Sequence, residues 1–320
     1  MSTESKITIA FPTFNRRSSI ETRVKEFLVE SKTLGVKLLV SDNHSSDGTY
    51  ESLKALVQGR SDVTLKKNSE NLGFVGNFFE LFKECRTEYL LISSDEDEVL
   101  FENIPKLSRF LHKTDCKFAR PFVRNGKSIY CGKQSSPSKI IPEEFRKSAF
   151  YLSGTVFNKR FGRECLSRLE SRSIENHAIY FYPQVAMAAL AIAENDAYWV
   201  PLELTRKVEQ LPTEIIGLDG QGYTSLQARL AQTKGYVELF RDLCNVLDFN
   251  QCHDRLKRMK NQAELDLFAL VRHSLRLEGG EFLTAFDKAG SDFYLGNRSF
   301  GNRSWIRKGK RLAKRLLNKA

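Results

Sequence analysis

Short apolar runs alternate with helical patterns along the first third of the chain. The runs predict four strands, at residues 7–11, 36–40, 63–65 and 88–92. Between the strands, the pattern predicts helices that extend to about residue 32, from about 49 to 57 and from about 75 to 85. Strands that alternate with helices of this length need crossover connections, so a parallel sheet is expected here.

The rest of the chain changes from a mixed pattern to a helical one. Strands are predicted at residues 118–123, 128–131 and 153–157, and helices at 98–111 and 143–150. Residues 181–195 form a strongly apolar helical stretch, whose buried part is 185–193. From about residue 224 onward the pattern is helical with few strand signals, and there is no internal repeat or low-complexity linker.

Polar clusters follow three of the predicted strands, each at the strand's carboxyl end. They are Pro12-Thr-Phe-Asn-Arg16, Asp42-Asn-His-Ser-Ser-Asp-Gly-Thr49 and Ser94-Asp-Glu-Asp97. Each cluster alone is ordinary turn chemistry, and Asp47 is typical of a helix N-cap. Ligands of open parallel sheets bind outside the carboxyl ends of the strands, so the three clusters together predict one shared crevice.

Together with Asn71-Leu-Gly73 and Asn77, these clusters make the chain resemble the family 2 glycosyltransferases of the bacterial surface-polysaccharide type. The resemblance implies a GT-A fold, which is an α/β, Rossmann-like, mostly parallel sheet flanked by helices. Residues 1–222 are then expected to form the transferase domain, with a nucleotide-sugar half at 1–100 and an acceptor half at 115–222. A helical C-terminal region is expected at 223–320. Members of the family transfer a sugar from a nucleotide diphosphate to an acceptor hydroxyl, with inversion at the anomeric carbon.

The resemblance also implies which residues bind the donor. This set comprises Pro12, Thr13, Arg16, Asp42, Asn71, Gly73, Asn77 and Asp95. By resemblance Asp42 reads the base, since its carboxylate can accept a hydrogen bond from the ring nitrogen of uracil or thymine, which favours a uridine or thymidine diphosphate sugar. Arg16 would attract the diphosphate by charge and fork geometry, although it also fits a surface arginine at the start of a helix.

Asp95 and Asp97 are the predicted metal ligands. Two positions apart in an extended segment, they point to one side while Glu96 points away. Carboxylate oxygens suit Mg²⁺ or Mn²⁺, and such an ion would neutralise charge on the leaving diphosphate. The alternative is an acidic turn before the helix at 98–111, where acidic residues stabilise a helix start by only about 0.3–1 kcal/mol.

The general base for the acceptor hydroxyl is the least defined part of the site. Family members often carry an acidic pair ahead of the helix that begins here near Tyr182. In this chain that segment has no adjacent carboxylates, and Glu175 and His177 are the nearest titratable candidates. A single histidine in a loop is more often structural, so the departure leaves the catalytic base open.

The net charge of +11 is concentrated at the C-terminus. After Asp292 there are nine lysines and arginines and no acidic residue, so the preceding chain is nearly balanced. Trp305, Ile306, Leu312, Leu316 and Leu317 recur among these charges at helical spacing. The tail therefore predicts an amphipathic helix on an anionic membrane surface, where a lipid-linked glycan acceptor would be found. A solvated helix and a nucleic-acid tail are the alternatives.

Other features of the sequence bear on localisation. No apolar run approaches the roughly 18 residues of a spanning helix, and residues 7–11 are too short for a signal peptide, so a cytoplasmic protein at the inner face of the membrane is expected. The six cysteines have no metal-site spacing and are expected to be buried reduced thiols. The glycine-rich stretch at 217–222 lacks a phosphate-loop lysine and is expected to be a loop.

Three functions remain open at this point. The leading hypothesis is an inverting glycosyltransferase of surface polysaccharide synthesis. The second is a nucleotide-sugar-binding protein without transferase activity, because the expected base motif is missing. The third is a nucleic-acid-binding module that uses the basic tail. The near-neutral charge before the tail argues against the third, so no nucleic-acid partner is expected.

Overall fold

The computed structural model describes residues 6–172, 175–208, 226–246 and 250–278. The first half of the fold consists of four strands and the helices that connect them. The strands are β1 (Ile7–Thr13), β2 (Lys37–Asp42), β3 (Val63–Lys67) and β4 (Tyr89–Ile92). The helices are α1 (Arg17–Glu30), α2 (Thr49–Leu56) and α3 (Gly73–Glu84). These elements confirm the predicted alternation.

The second half of the fold combines short strands with longer helices. The strands are β5 (Glu98–Val99), β6 (Phe118–Asn125), β7 (Ser128–Cys131), β8 (Ser138–Lys139), β9 (Thr155–Asn158) and β10 (Ala197–Arg206). The helices are α4 (Ile104–Thr114), α5 (Phe145–Ala149), α6 (Lys159–Leu169), α7 (His177–Phe181), α8 (Pro183–Ala193), α9 (Leu226–Val246) and α10 (Asn250–Glu278).

All ten strands that the structure describes join one sheet, in the order β3-β2-β1-β4-β9-β6-β10-β5, with β7 on β6 and β8 on β10. The strands β3, β2, β1 and β4 are parallel. β9 lies antiparallel between β4 and β6, while β6 and β10 are parallel to each other. The predicted parallel sheet is thus confirmed for the first half, and the second half is mixed.

Both faces of the central strands of the sheet are buried, because helices cover each of them. One apolar core includes residues of α3, α6, α8, α9 and α10, and every residue of α8 is buried. The core on the opposite face includes residues of α1 and α4. The apolar runs of β1, β2 and β4 follow from this arrangement, since strands that are covered on both sides have no solvent-facing positions.

Two predicted helices begin at other residues than expected. The helix expected at 98–111 starts at Ile104, because Glu98 and Val99 pair antiparallel with β10 as β5 and a 3₁₀ turn follows them. The apolar helix expected at 181–195 is preceded by the separate helix α7, and α8 begins at Pro183. Proline suits the first turn of a helix but disfavours helical backbone in the residue before it.

The strand β10 was absent from the expectations, although it is the longest of the described strands. Its pairing with β6 shifts register between Val200 and Glu203 and again before Thr205. Pro201 lies within the first shift, where its missing N–H removes one ladder hydrogen bond. A proline inside a strand pattern argues against a strand in the sequence, and the bulge resolves that conflict in the structure.

The C-terminal helices α9 and α10 confirm the helical pattern as far as residue 278. The basic tail, the stretch at 217–222 and the expected boundary between residues 222 and 223 lie outside the described residues. None of the described helices is long and apolar enough to cross a bilayer. Cys85, Cys116, Cys131 and Cys165 are buried, and Cys244 and Cys252 are half-buried.

Candidate active site

The carboxyl ends of β2, β1 and β4 meet at one edge of the sheet. Thr13 is the register partner of Asp42, at the last residues of β1 and β2. The hydroxyl of Thr13 donates a hydrogen bond to Oδ2 of Asp95, which follows β4, over 2.6 Å. The structure therefore brings Thr13, Asp42 and Asp95 together, as the positions of the polar clusters predict.

The loops after β1 and β2 are tied to each other by Asn15 and Ser45. The backbone N–H of Asn15 donates to Oγ of Ser45 (2.8 Å), and the N–H of Ser46 donates to Oδ1 of Asn15 (2.8 Å). Ser45 also donates to both carboxylate oxygens of Asp42, from its hydroxyl to Oδ1 and from its N–H to Oδ2. Asp42 is fully buried. Its carboxylate thus helps to shape the loop that ends the strand.

An amide network lies under the same edge of the sheet. Asn77 on α3 accepts hydrogen bonds from Ser41 (2.6 Å) and Asn68 (3.0 Å) and donates to the carbonyl of Ser41. Asn71 accepts from the side chain of Asn43 (2.7 Å) and from the N–H of Gly73. These polar groups join the start of α3 to the end of β2, so they hold the walls of the cleft in place.

Two backbone features complete this wall. Gly73 has a φ of +68°, a conformation that L side chains rarely adopt, at the first turn of α3. Pro12 is buried in β1 and pairs with β2, while the ladder to β4 ends at Ala10. A residue without an N–H is therefore accommodated beyond the end of that ladder.

Arg16 points toward the acidic cluster. Its Nη1 makes an ion pair with Glu96 and lies 3.8 Å from Oδ1 of Asp95. The side chain is 26% exposed, so the guanidinium is partly screened from water. This placement at the cleft supports the predicted role near an anionic ligand better than that of a plain surface arginine.

Asp97 is held by side chains from the segment after α5. Tyr151 donates to its Oδ2 over 2.7 Å, Ser153 donates to the same oxygen, and the N–H of Val208 lies 3.4 Å from Oδ1. The Ser153 hydroxyl also accepts the N–H of Ser94. The carbonyl of Ser153 in turn accepts from Nη1 of Arg120 (3.0 Å). The sequence contained no signal for these contacts.

The two carboxylates fit a divalent cation by their hydrogen bonding. Each has one oxygen fixed by protein hydroxyls. Among the described residues, the other oxygen makes a long contact, to Arg16 for Asp95 and to Val208 for Asp97. Burial raises the pKa of both carboxyl groups, and the neighbouring Asp97 further raises that of Asp95. A cation would relieve this unfavourable concentration of buried negative charge.

Among the described residues, the two carboxylates are not part of a larger group of potential metal ligands. Within the described ranges, no group of three or more His, Cys, Asp or Glu side chains is arranged to hold a metal ion. Mg²⁺ and Mn²⁺ sites commonly use one or two carboxylates together with substrate phosphates and water. Asp95 and Asp97 therefore match the protein's share of such a site.

The two candidate bases lie on another element. Glu175 is exposed just before α7, and His177 is the first residue of that helix. Nδ1 of His177 is buried and has no hydrogen-bond partner among the described residues, and its ring lies 6.2 Å from that of Phe181. Further along α7, the Tyr180 hydroxyl is 4.0 Å from the place of a Cβ on Gly73. The side chain of Tyr180 therefore brings α7 close to the start of α3, and the sequence did not predict this contact.

Sequence comparison agrees with this geometry. The model of glycosyl transferase family 2 matches residues 8–167, which is half of the chain and contains β1, β2, β4 and the three polar clusters. The chain belongs to this family. One curated relative, the abequosyltransferase RfbV of Salmonella typhimurium, is 26% identical to this family 2 chain over 107 residues. That match spans about a third of each protein, 33% of this chain and 32% of RfbV.

Solved structures show the same fold. TarS of S. aureus in complex with UDP-GlcNAc has a TM-score of 0.59 at 11% identity. The likeness covers 80% of this family 2 chain and 72% of the TarS chain. The mannosyltransferase PcManGT of Pyrobaculum calidifontis, in complex with GDP-Man and Mn²⁺, has a TM-score of 0.54 at 14% identity. That likeness covers 97% of this chain and 84% of PcManGT. The GT-A architecture expected from the sequence is confirmed.

Proposed function

We propose that the protein is an inverting glycosyltransferase that moves a sugar from a nucleotide diphosphate to a hydroxyl of a glycan acceptor, in the synthesis of a surface polysaccharide such as O-antigen or capsule. One observation carries the proposal: the Thr13 hydroxyl, at the end of β1, holds Asp95 beside the buried Asp97. TarS is in complex with UDP-GlcNAc, PcManGT is in complex with GDP-Man, and RfbV is named an abequosyltransferase. These names support a nucleotide-sugar donor.

The donor diphosphate would lie at the carboxyl ends of β1 and β4, with Mn²⁺ or Mg²⁺ on Asp95 and Asp97. When bound, the cation neutralises charge that develops on the leaving diphosphate. Thr13, Tyr151 and Ser153 orient the two carboxylates, and because their hydroxyls are already bonded, little reorganisation is needed during the reaction. Arg16 adds a second positive charge that favours the diphosphate.

The nucleobase would be bound at the end of β2. The ionised carboxylate of Asp42 can only accept hydrogen bonds, and the ring N–H of uracil or thymine donates one. We therefore favour a uridine or thymidine diphosphate sugar as the substrate. Ser45 already donates to Asp42, and the base must share or replace one of these hydrogen bonds. Asp42→Asn should therefore weaken the binding of UDP or TDP.

The acceptor hydroxyl must lose a proton as it attacks the anomeric carbon. We assign this proton to Glu175 or His177, the titratable groups at the start of α7. Glu175→Gln and His177→Gln should separate the two candidates, since the variant of the true base loses transfer and keeps donor binding. Glu175 is exposed, so a solute can approach its carboxylate without rearrangement of the core.

The acceptor is proposed to be lipid-linked and presented at the inner face of the cell membrane. The basic amphipathic tail supports this, because each lysine or arginine adds about 1 kcal/mol of attraction near an anionic surface. Removal of residues 297–320 should abolish co-flotation with vesicles that contain phosphatidylglycerol. The truncated protein should still turn over a water-soluble acceptor.

Two matched substitutions test the catalytic proposal. Asp95→Ala and Asp97→Ala should each abolish manganese-dependent transfer or hydrolysis of the sugar nucleotide. Glu98→Ala, which removes a half-exposed carboxylate of β5, serves as the control. If both aspartate variants retain the wild-type rate, the assignment of the metal and of the diphosphate site is wrong. A thermal-shift screen of nucleotide diphosphates, with and without Mn²⁺, identifies the donor.

A nucleotide-sugar-binding protein without turnover is the second candidate. It is favoured by the missing acidic pair ahead of α8. Calorimetry would distinguish the two. Donor binding at micromolar affinity, without product on any lipid-linked acceptor, would support the second candidate.

A further inference from the structure

Lys207 lies at the edge of the candidate site, directly after β10. Its backbone N–H donates to the carbonyl of Arg124 over 2.8 Å, which fixes the chain at this point. The next residue, Val208, directs its N–H toward Oδ1 of Asp97. The Lys207 ammonium stacks over the ring of Tyr130, 4.7 Å from the ring centroid. The lysine side chain thus has a defined position beside the acidic cluster.

Tyr130 connects this lysine to the site. It lies on β7, is 39% exposed, and meets the ring of Tyr151 edge to face at 4.9 Å. Tyr151 donates its hydroxyl hydrogen to Asp97. A continuous set of contacts therefore leads from Lys207 through Tyr130 and Tyr151 to one of the two predicted metal ligands.

Lys207 differs from the other lysines that stack on aromatic rings. The described part of the chain contains five lysines that stack on an aromatic ring. Four of them also pair with a carboxylate: Lys67 with Glu51, Lys117 with Glu194, Lys133 with Glu144 and Lys139 with Asp196. Lys207 has no such partner among the described residues. The charge of Lys207 acts on Asp97, where it partly offsets the rise that burial causes in the pKa of that carboxyl. The ring contact restrains the ammonium without a close ion pair.

We propose that Lys207, held over Tyr130, binds a phosphate group at the edge of the donor site. This inference rests on the proposed function. An ammonium is a compact charge with three donors and suits a phosphate oxygen, and the ring restrains it without supplying an anion. The phosphate comes either from the donor diphosphate or from a phosphate that links the acceptor to its lipid, since both carry the same chemistry.

Calorimetry on the full chain tests the proposal with three variants. Lys207→Met removes the charge, Lys207→Arg keeps it, and Lys139→Met is the matched control, since Lys139 also stacks on a ring, at 3.9 Å, but pairs with Asp196. The donor probes are UDP, TDP and GDP with Mg²⁺, and the corresponding nucleosides without phosphate. The acceptor probe is geranyl phosphate, and inorganic pyrophosphate is a probe without a base.

The expected result is about tenfold weaker binding of a phosphate probe by Lys207→Met, comparable to one charge-assisted hydrogen bond at a partly exposed position. Lys207→Arg and Lys139→Met should bind as the wild type does, and nucleoside binding should not change. A loss limited to the diphosphates assigns the phosphate to the donor. A loss limited to geranyl phosphate assigns it to the acceptor.

Tyr130 provides an independent check. Tyr130→Ala should weaken the same probe as Lys207→Met does, whereas Tyr130→Phe keeps the ring and should restore binding. If Lys207→Met binds every probe as tightly as the wild type, the inference is overturned while the proposed function stands. If the wild type binds pyrophosphate but no nucleotide, the proposed function is wrong. The role of Lys207 is then still decided by comparing the binding of pyrophosphate to the wild type and to Lys207→Met.

Discussion

The hydroxyl of Thr13 donates a hydrogen bond to Oδ2 of Asp95 over 2.6 Å, although the two residues are 82 positions apart in the sequence. Both are buried: Thr13 is the last residue of β1, and Asp95 lies in the loop after the adjacent parallel strand β4. Because a carboxylate with one oxygen fixed can rotate only at the cost of that bond, Thr13 sets the direction of the other oxygen. The pair directly connects the first and third polar clusters.

Thr13→Val should therefore impair donor use without changing the shape of the side chain. Loss of one hydrogen bond to a charged group costs about 1.5–3 kcal/mol, which corresponds to a roughly 10- to 150-fold decrease in kcat/KM. Thr13→Ser keeps the hydroxyl and is the control. Steady-state kinetics at saturating Mn²⁺ measure the effect. Equal rates for the valine and serine variants would show that Asp95 needs no such support.

Ser153→Ala should weaken the response to Mn²⁺ more than Tyr151→Phe. Both hydroxyls donate to Oδ2 of Asp97, but Ser153 also accepts the N–H of Ser94, so its removal loosens the acidic loop at two points. We expect the half-saturating Mn²⁺ concentration to rise about tenfold for Ser153→Ala and about threefold for Tyr151→Phe. Electron paramagnetic resonance of free Mn²⁺ measures binding directly. The reverse order would contradict this interpretation.

Arg120→Met should leave the free energy of unfolding unchanged or raise it. Arg120 is fully buried in β6, and its Nε and Nη2 have no hydrogen-bond partner in the part of the chain that the structure describes. Replacing a poorly compensated buried charge by an apolar side chain of similar volume is often neutral or stabilising by about 1–4 kcal/mol. Urea unfolding checks this, and transfer is expected to slow because Ser153 loses the bond to its carbonyl. A loss of more than about 2 kcal/mol would mean that the guanidinium stabilises the fold.

Gly162→Ala should destabilise the protein although alanine favours helices. The added Cβ would lie 2.2 Å from Cδ1 of Phe82, which is fully buried and packs edge to face on Phe78 and Phe157. Overpacking costs about 1–3 kcal/mol, against a helical gain of about 1 kcal/mol. The control, Ser167→Ala, lies on an exposed position of the same helix and should be nearly neutral. Urea unfolding of both variants gives the difference.

The sequence predicted the first half of the fold because its signals are local. The apolar runs of β1, β2 and β4 end at proline or serine, the weaker run of β3 ends at lysine, and each helix has its own periodicity. The site at the strand ends follows from topology alone, since parallel neighbours end at the same edge. This is why Thr13, Asp42 and Asp95 could be grouped without coordinates.

The contacts that complete the site could not be predicted in this way. Ser153 reaches Asp97 from 56 positions away, and no spacing or residue type indicates the pairing. Arg120 lies in an apolar strand, Phe118–Asn125, and is fully buried there, although arginine side chains are mostly exposed to solvent. Pro201 concealed β10, and with it the position of Lys207. Long-range pairing decided each of these features, and local patterns carry no information on it.

The antiparallel strand β9 has a consequence for how the protein forms during synthesis. β9 covers the edge of β4, yet its residues emerge from the ribosome more than sixty positions later. Until then, a nascent chain that has already assembled β3, β2, β1 and β4 presents an open, apolar strand edge, which is a template for aggregation. Fragments that stop before residue 155 should therefore associate or be captured by chaperones, and only chains that reach β9 can close the sheet.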